Sequence, residues 1–434
     1  MKSLLATLAL ALLASAPAQL AAAAAPTRGN LDESKVASYT LPDVLHRADG
    51  STITDAAGWN RQRSALLEIF AREIYGRVPA NVVAQGTTNM RWTTATDRTA
   101  LGGRATRKQI TFSFSARADA PKLHLLIYQP NTGTAPYPAF LGLNYFGNQC
   151  VNADPGITLS TAWMRAAPEY GIEKNRATEK TRGAHAFRWE VEKIIARGYA
   201  TVTAYYGDLS PDHVDGLGEA IGGFFQTGTT EQRPADSWGA IGIWAWGLSR
   251  ALDVLQADRE IDATRVAVHG HSRLGKAALW AGAQDPRFAL VISNDSGAGG
   301  AALSKRDFGE TVAMLNTNFP HWFALNFRRY NGREADLAVD QHQLLALIAP
   351  RPLYVASASQ DLHADPKGEF LAAKFAEPVY ALFGKQGLGV AEQPAPDHPV
   401  GDTIGYHVRT GAHNILAYDW DQYLNFADRH LRKK

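Results

Sequence analysis

Ser272 stands in the run Gly270-His271-Ser272-Arg273-Leu274-Gly275-Lys276, between the apolar stretch Val266–His269 and a helix-forming stretch that begins at Lys276. A strand that turns at once into a helix lifts its middle residue above the sheet edge. A serine there exposes its hydroxyl, and the next backbone N–H points at the place where an oxyanion would form. Gly270 removes a Cβ that would clash with the turn, and the helix N-terminus adds positive potential where negative charge develops. The second glycine follows the serine by three residues instead of two, with Leu274 in between. A serine that merely caps a helix would suit the same junction. The strand, both glycines, Arg273 and the helix together favour a nucleophile, with the N–H of Arg273 as an oxyanion donor.

Such a serine needs a base and an acid, and after a turn of this type they follow in the order serine, acid, histidine. Asp295 ends the run Leu290–Ser293, and Asp361 ends the run Leu353–Ala356. Both are expected at the carboxyl edge of a sheet, where an acid fixes the imidazole tautomer and stabilises imidazolium. Asp361, directly before the long run to the histidines, is expected as the main partner and Asp295 as an auxiliary one. Three histidines could be the base: His398, His407 and His413. They lie between Val379–Phe383, expected as the last strand, and a helix expected over 421–431. His413 sits in a glycine-containing turn shortly before that helix.

The elements that must position these groups are legible as alternating patterns. Apolar runs at Leu125–Tyr128, Ala139–Leu143, Ala200–Tyr205, Val266–His269, Leu290–Ser293 and Leu353–Ala356 are separated by longer amphipathic stretches. That alternation predicts an α/β fold with a mostly parallel sheet and helices on both faces, the three-layer sandwich of an α/β-hydrolase. The clearest helix is expected over 237–255, where Trp238, Ile241, Trp244, Leu248, Leu252 and Leu255 make one stripe and Asp236 stands at the N-cap place. Residues 26–110 are expected as an N-terminal extension, with short antiparallel strands near Met90–Trp92 and Gln109–Phe114. It packs on a single catalytic domain spanning 26–434.

Composition excludes several classes. The chain of 434 residues has a net charge of +2 and no basic run longer than its Arg432-Lys433-Lys434 tail, which argues against nucleic acid as a partner. Residues 1–25 are expected to be a secretory signal: Lys2, an apolar run from Leu4 to Leu13, then small residues through Ala25. No later stretch reaches the ~18 apolar residues of a spanning helix, so no membrane contact is expected after cleavage. Cys150 is the single cysteine. It allows no internal disulfide and no Cys/His metal cluster.

The serine motif closely resembles the Gly-x-Ser-Arg-x-Gly-Lys signature of the glucuronoyl esterases, carbohydrate esterase family fifteen, in which the later glycine is normal. Further similar segments follow in order: Tyr205-Tyr206-Gly207-Asp208, Ser293-Asn294-Asp295-Ser296-Gly297, Asp307-Phe308-Gly309-Glu310-Thr311, Ala349-Pro350-Arg351-Pro352, Asp365-Pro366-Lys367-Gly368-Glu369 and the stretch from His398 to His413. The resemblance implies a secreted esterase, periplasmic or extracellular. It would cleave the ester between 4-O-methylglucuronic acid of glucuronoxylan and lignin alcohols through an acyl-enzyme, with no metal and no organic cofactor. It also implies His413 as the base, help for the oxyanion from the Arg273 side chain, and Lys276 and Glu310 as partners of the sugar hydroxyls. Bacterial members often carry a tryptophan against the sugar two residues after the Asp361 position, where this chain has His363. Trp322 and the pair Tyr145-Phe146 are further candidates for the cleft wall, or for core packing. The same triad would also serve a general carboxylesterase or an acetyl xylan esterase, and the fold alone would serve an inactive carbohydrate-binding protein. A monomer is expected.

Overall fold

The computed structural model describes residues 29–432 except 48, 86–88 and 226–227. The expected signal segment therefore lies outside the described residues. The central element is a ten-stranded sheet. Its strands are β1 (Arg91–Asp97), β2 (Ala105–Ser113), β3 (Lys122–Pro130), β4 (Tyr137–Asn144), β5 (Ala200–Tyr205), β6 (Ile261–His271), β7 (Leu290–Asn294), β8 (Leu353–Ala358), β9 (Val400–Gly401) and β10 (Ile404–Arg409). Their spatial order is β1-β2-β3-β5-β4-β6-β7-β8-β10-β9. The six strands from β5 to β10 in that order are parallel, while β1, β2 and β3 extend one side and β9 the other in antiparallel fashion. The short N-terminal strands thus continue the main sheet.

Both faces of the parallel part of the sheet are buried, which is why its strands are mostly runs of Val, Ile, Leu and Tyr without polar alternation. Successive residues feed opposite cores. Val266 and Val268 of β6 and Leu353 and Val355 of β8 face one apolar cluster, whereas Ala267, Tyr354 and Ala356 face the other. The first face is covered by helices α1 (Ala56–Phe70), α2 (Ala240–Gln256), α3 (Arg273–Gln284) and α4 (Pro366–Leu382). The second carries α5 (Ala417–Leu431), which buries Trp420, Tyr423, Leu424, Phe426 and Leu431. This is the three-layer α/β-hydrolase arrangement. Among the described residues, no helix is long and apolar enough to cross a membrane.

Two local expectations are corrected. Val379–Phe383 is not a strand; it closes α4, whose buried Glu369, Ala372, Ala373, Ala376, Val379 and Tyr380 recur at helical spacing. The last parallel strand is β10, where Ile404-Gly405-Tyr406-His407-Val408-Arg409 is wholly buried although its polar residues disguise it. The helix expected from 237 begins at Ala240 with Gly239 as N-cap. Asp236 does not cap it, because it lies in the turn before Ser237, which bridges to Arg77 of the N-terminal extension. There Asp236 pairs with Arg77, and Trp238 N donates to Arg77 O at 3.1 Å.

Strand register sets the site. His271 pairs with Asn294, Asn294 with Ala356, and Ala356 with His407, so these four residues form one row across β6, β7, β8 and β10. Ser272, Asp295, Asp361 and His413 all follow that row and emerge at the same carboxyl edge, the place where open α/β sheets carry ligands.

Candidate active site

Ser272 is the single residue between β6 and α3, with φ 57° and ψ −129°. A non-glycine residue held at such a positive φ stores ~1–3 kcal/mol, which surrounding contacts must offset. The contacts are present. Ser272 N donates to Asn294 O at 2.9 Å, and Gly275 N returns to Ser272 O at 2.8 Å. A Cβ on Gly270 would lie 2.0 Å from Leu274 O, and one on Gly275 would lie 3.0 Å from Ser296 Cβ. Close packing of α3 on the turn after β7 is what calls for glycine at 275, while Leu274 is buried in the core. The late glycine thus has a packing reason. The Tyr145 hydroxyl braces the turn from the other side, donating to His271 O at 2.5 Å.

His413 belongs to the loop between β10 and α5. Its Nδ1 lies 2.5 Å from Asp361 Oδ2. The loop is gripped on both sides of the imidazole: Arg409 Nη2 donates to Ala412 O at 2.9 Å and to Asn414 O at 3.0 Å, while Arg409 Nε is held by Asp419 at 3.0 Å. His407 and His398 lie elsewhere. His407 is inside the sheet, bonded to Tyr354 and Asp419 at 2.9 Å each, and His398 is exposed beside Pro396 O.

Asp295 is buried beside this pair in a different setting. Its Oδ2 accepts from Asn414 N at 3.2 Å, and its Oδ1 has no partner. Burial, followed by the nearby carboxylates of Glu369, Asp361 and Asp419, pushes its carboxyl well above the usual range. Burial thus favours the neutral form of Asp295, which supports the residue next to His413. Asp295, Asp361 and His413 offer ligand atoms within 4.8 Å of one another, close enough to share a cation. The 2.5 Å contact instead commits Asp361 and the imidazole Nδ1 to each other.

The Arg273 side chain is fixed by groups that the spacing of residues does not single out. Its guanidinium pairs with Asp212 and lies 4.8 Å from the Trp322 ring centre and 5.5 Å from that of Phe319. Asp212 also accepts from Trp322 Nε1 at 2.7 Å and faces His321 Nε2 at 2.9 Å. Burial pushes the Asp212 carboxyl up, but the Arg273 charge and the His321 and Trp322 hydrogen bonds outweigh it and hold it well below the usual range. Trp322 stacks on Phe319 at 3.7 Å, so it is both cleft wall and packed residue. The one signal for Asp212 is its position shortly after β5, another parallel strand ending at the same edge.

Lys276, Glu310 and His363 meet on the opposite wall. Lys276 Nζ donates to Ser296 O at 2.6 Å and Ala298 O at 2.5 Å and lies 3.6 Å from Glu310 Oε2. His363 Nε2 is 3.9 Å from Glu310 Oε1. These three residues, with Ser272, Arg273, Asp295, Trp322, Asp361 and His413, line one cavity of about 260 Å³. The Glu310 loop is tied down by an N-terminal strap. Gly309 N donates to Asn30 O at 2.8 Å, and Glu33 bridges Arg306 and Lys367. Tyr145 and Phe146 pack side by side, and neither lines this cavity.

Glu369 supports the floor. Its Oε1 accepts from Ser296 N at 2.8 Å and Gly297 N at 2.9 Å, and its Oε2 lies 2.6 Å from Ser357 Oγ. Burial raises its carboxyl from the ordinary 4.5 to about 8, against the pull of Ser357 and the Gly297 N–H. A carboxyl whose folded value is raised contributes stability that is complete below 4.5 and is lost as pH climbs through about 8. Glu369→Gln keeps the neutral geometry and should remove this loss. The native melting temperature should therefore fall relative to the variant between about pH 4.5 and 8. The stability lost is ~1.4 kcal/mol for each pH step across that window, a few kcal/mol in all. Parallel melting curves across that range would show that Glu369 does not titrate this way.

Comparison with known proteins identifies the family. The fungal glucuronyl esterase family matches residues 186–384. Carbohydrate esterase MZ0003, from an unknown prokaryotic organism, is 47% identical over 409 residues, covering 94% of this chain and 93% of the relative. A glucuronoyl esterase from Solibacter usitatus superposes with a TM-score of 0.86 at 47% identity, covering 92% of this chain and 100% of that one. A promiscuous esterase of family CE15 from a marine bacterial metagenome superposes with the same TM-score and identity, covering 93% of this chain and 100% of that one. A likeness this extensive at this identity settles the family: the chain belongs to the glucuronoyl esterases of carbohydrate esterase family 15 and is a carboxylic ester hydrolase.

Proposed function

We propose that the protein hydrolyses the ester between (4-O-methyl)glucuronic acid of glucuronoxylan and a lignin alcohol, with Ser272, His413 and Asp361 as its catalytic triad. The observation that carries the reading is the 2.5 Å contact of His413 Nδ1 with Asp361, opening on the same cavity as the strained Ser272 turn. With its Nδ1–H held by Asp361, the imidazole presents a basic Nε2. That nitrogen takes the Ser272 proton as the oxygen attacks the ester carbonyl. The carbonyl oxygen becomes an alkoxide, stabilised by the Arg273 N–H at the start of α3 and by the guanidinium that Asp212 and Trp322 hold in place. Protonated His413 then gives its proton to the leaving alcohol, and water repeats the sequence on the acyl-enzyme.

Lys276 and Glu310 give the reading its acyl group. A charged pair at one wall of a polar cavity suits the hydroxyls of a sugar acid, with His363 beside Glu310 where an indole would otherwise face the sugar. Residues 1–25 would direct export, and 26–434 would act as one catalytic domain, as a monomer, with no cofactor.

The test is relative turnover of benzyl glucuronate, benzyl galacturonate, para-nitrophenyl acetate and acetylated xylan. An unpaired buried polar group costs roughly 1–3 kcal/mol, so the galacturonate epimer and the acetates should be about ten- to a hundredfold poorer in kcat/KM. Equal rates on the acetates would transfer the assignment to a general carboxylesterase. That second reading has one specific support, the description of the marine metagenomic relative as promiscuous.

A further inference from the structure

A second cavity, of about 300 Å³, opens at the same carboxyl edge of the sheet, walled by β2, β3, the turn after β5 and residues 158–162. Leu125 of β3 pairs with Ala204 near the end of β5, which sets the cavity level with the ends of the parallel strands. Between β3 and β6 lie β5 and β4, so the two cavities are three strand spacings apart, ~14 Å at ~4.8 Å per spacing. The wall between them contains Tyr205 and Tyr206; the Tyr206 hydroxyl bonds Asp212, the partner of Arg273.

The lining is built and locked. Gln109 Nε2 donates to Gly156 O at 3.0 Å, and its Oε1 accepts from Thr158 N at 2.7 Å. Asn148 Nδ2 donates to His124 O at 2.8 Å, and His124 Nδ1 lies 3.0 Å from Thr111 Oγ1. Ile110, Leu125 and Leu159 supply apolar surface between these polar groups. Asp208 faces the space without an ion-pair partner among the described residues. Burial raises its carboxyl to about 7, offset only by the His124 N–H.

We infer that this cavity is a glycosyl-binding subsite, which holds a neutral sugar unit of the polysaccharide whose uronoyl ester occupies the Ser272 cavity. The inference rests on the proposed polysaccharide substrate. A carboxyl accepts from hydroxyls when ionised and also donates to them when protonated, so Asp208 can bond a sugar in either form. Amide and hydroxyl groups interleaved with aliphatic side chains match a pyranose, which has polar edges and apolar faces. A single carboxylate is a poor cage for a hard cation, which takes six or more oxygens. The separation of the two cavities is one that a short oligosaccharide spans, so occupation of both would raise the effective concentration of ester at Ser272.

The test uses the full chain with Ser272 blocked by a serine-directed organophosphonate, titrated calorimetrically with xylohexaose. Binding should survive the block and weaken about tenfold or more in Asp208→Asn. Leu159→Trp, which fills the cavity without removing a polar group, should weaken it as well. Both variants should turn over benzyl glucuronate at the native rate and lose several-fold in kcat/KM on esterified glucuronoxylan polymer. No binding to the blocked enzyme, or native affinity in both variants, would overturn the subsite. Heat from calcium chloride in place of xylohexaose that disappears in Asp208→Asn would reassign the cavity to a cation and overturn it equally. Turnover of benzyl glucuronate by the native enzyme checks the esterase reading separately, since that substrate has no further sugar unit to reach the second cavity.

Discussion

Ser272→Ala is expected to abolish ester turnover and leave the fold intact. The hydroxyl stands at a strand-helix turn and opens on the cavity; the core beneath it is made by Leu274, Ala277, Ala278 and their neighbours. Removing one oxygen there opens no core cavity, so stability should change by no more than ~0.5 kcal/mol. Activity should fall by many orders of magnitude, to the ~10³–10⁴ over water that oxyanion and binding effects alone provide. The measurement is initial rate on benzyl glucuronate alongside a thermal melt. A variant that keeps a tenth of native activity would place the nucleophile elsewhere.

The second large effect separates the two acids. Asp361→Asn puts an amide against His413 Nδ1. The tautomer that then forms carries its proton on Nε2 and cannot take one from Ser272. A loss of ~10³–10⁴ in kcat is expected, with little change in KM. Asp295→Asn replaces a carboxyl whose neutral form burial favours, and the amide oxygen can still accept from Asn414 N. Its cost should stay under about tenfold, because what is lost is the fit of one hydrogen bond. The double variant should resemble Asp361→Asn and approach His413→Ala, since members of one catalytic unit act non-additively. A silent Asp361→Asn together with an Asp295→Asn as damaging as His413→Ala would reverse the assignment.

These two carboxylates mark the boundary between what residue order shows and what packing decides. In the sequence, Asp295 and Asp361 are equivalent in kind: each ends an apolar run and precedes the histidines. Register places both at the edge. Only the three-dimensional surroundings separate them, because the charge state of Asp295 depends on burial and on Glu369 and Asp419, residues 74 and 124 positions further along the chain. The three histidines divide for a similar reason. His407 lies in a strand whose Gly, Tyr, His and Arg conceal its buried character, whereas the more apolar Val379–Phe383 imitates a strand and is the end of a helix.

Residue order alone carries the local chemistry: a strand, a serine and a helix in immediate succession, apolar runs marking a doubly covered parallel sheet, and a motif specific enough to identify the family. Those features survive in one dimension because each depends on neighbours within a few residues, through side-chain periodicity and the steric demands of a tight turn. Whatever depends on distance across the chain came from packing. Packing placed Asp212 against Arg273, set Arg409 around the His413 loop, and tied the Glu33 strap to the loop that carries Glu310. Desolvation and ion pairing act between groups that share a space, and the spacing of letters along a chain does not record which groups those are.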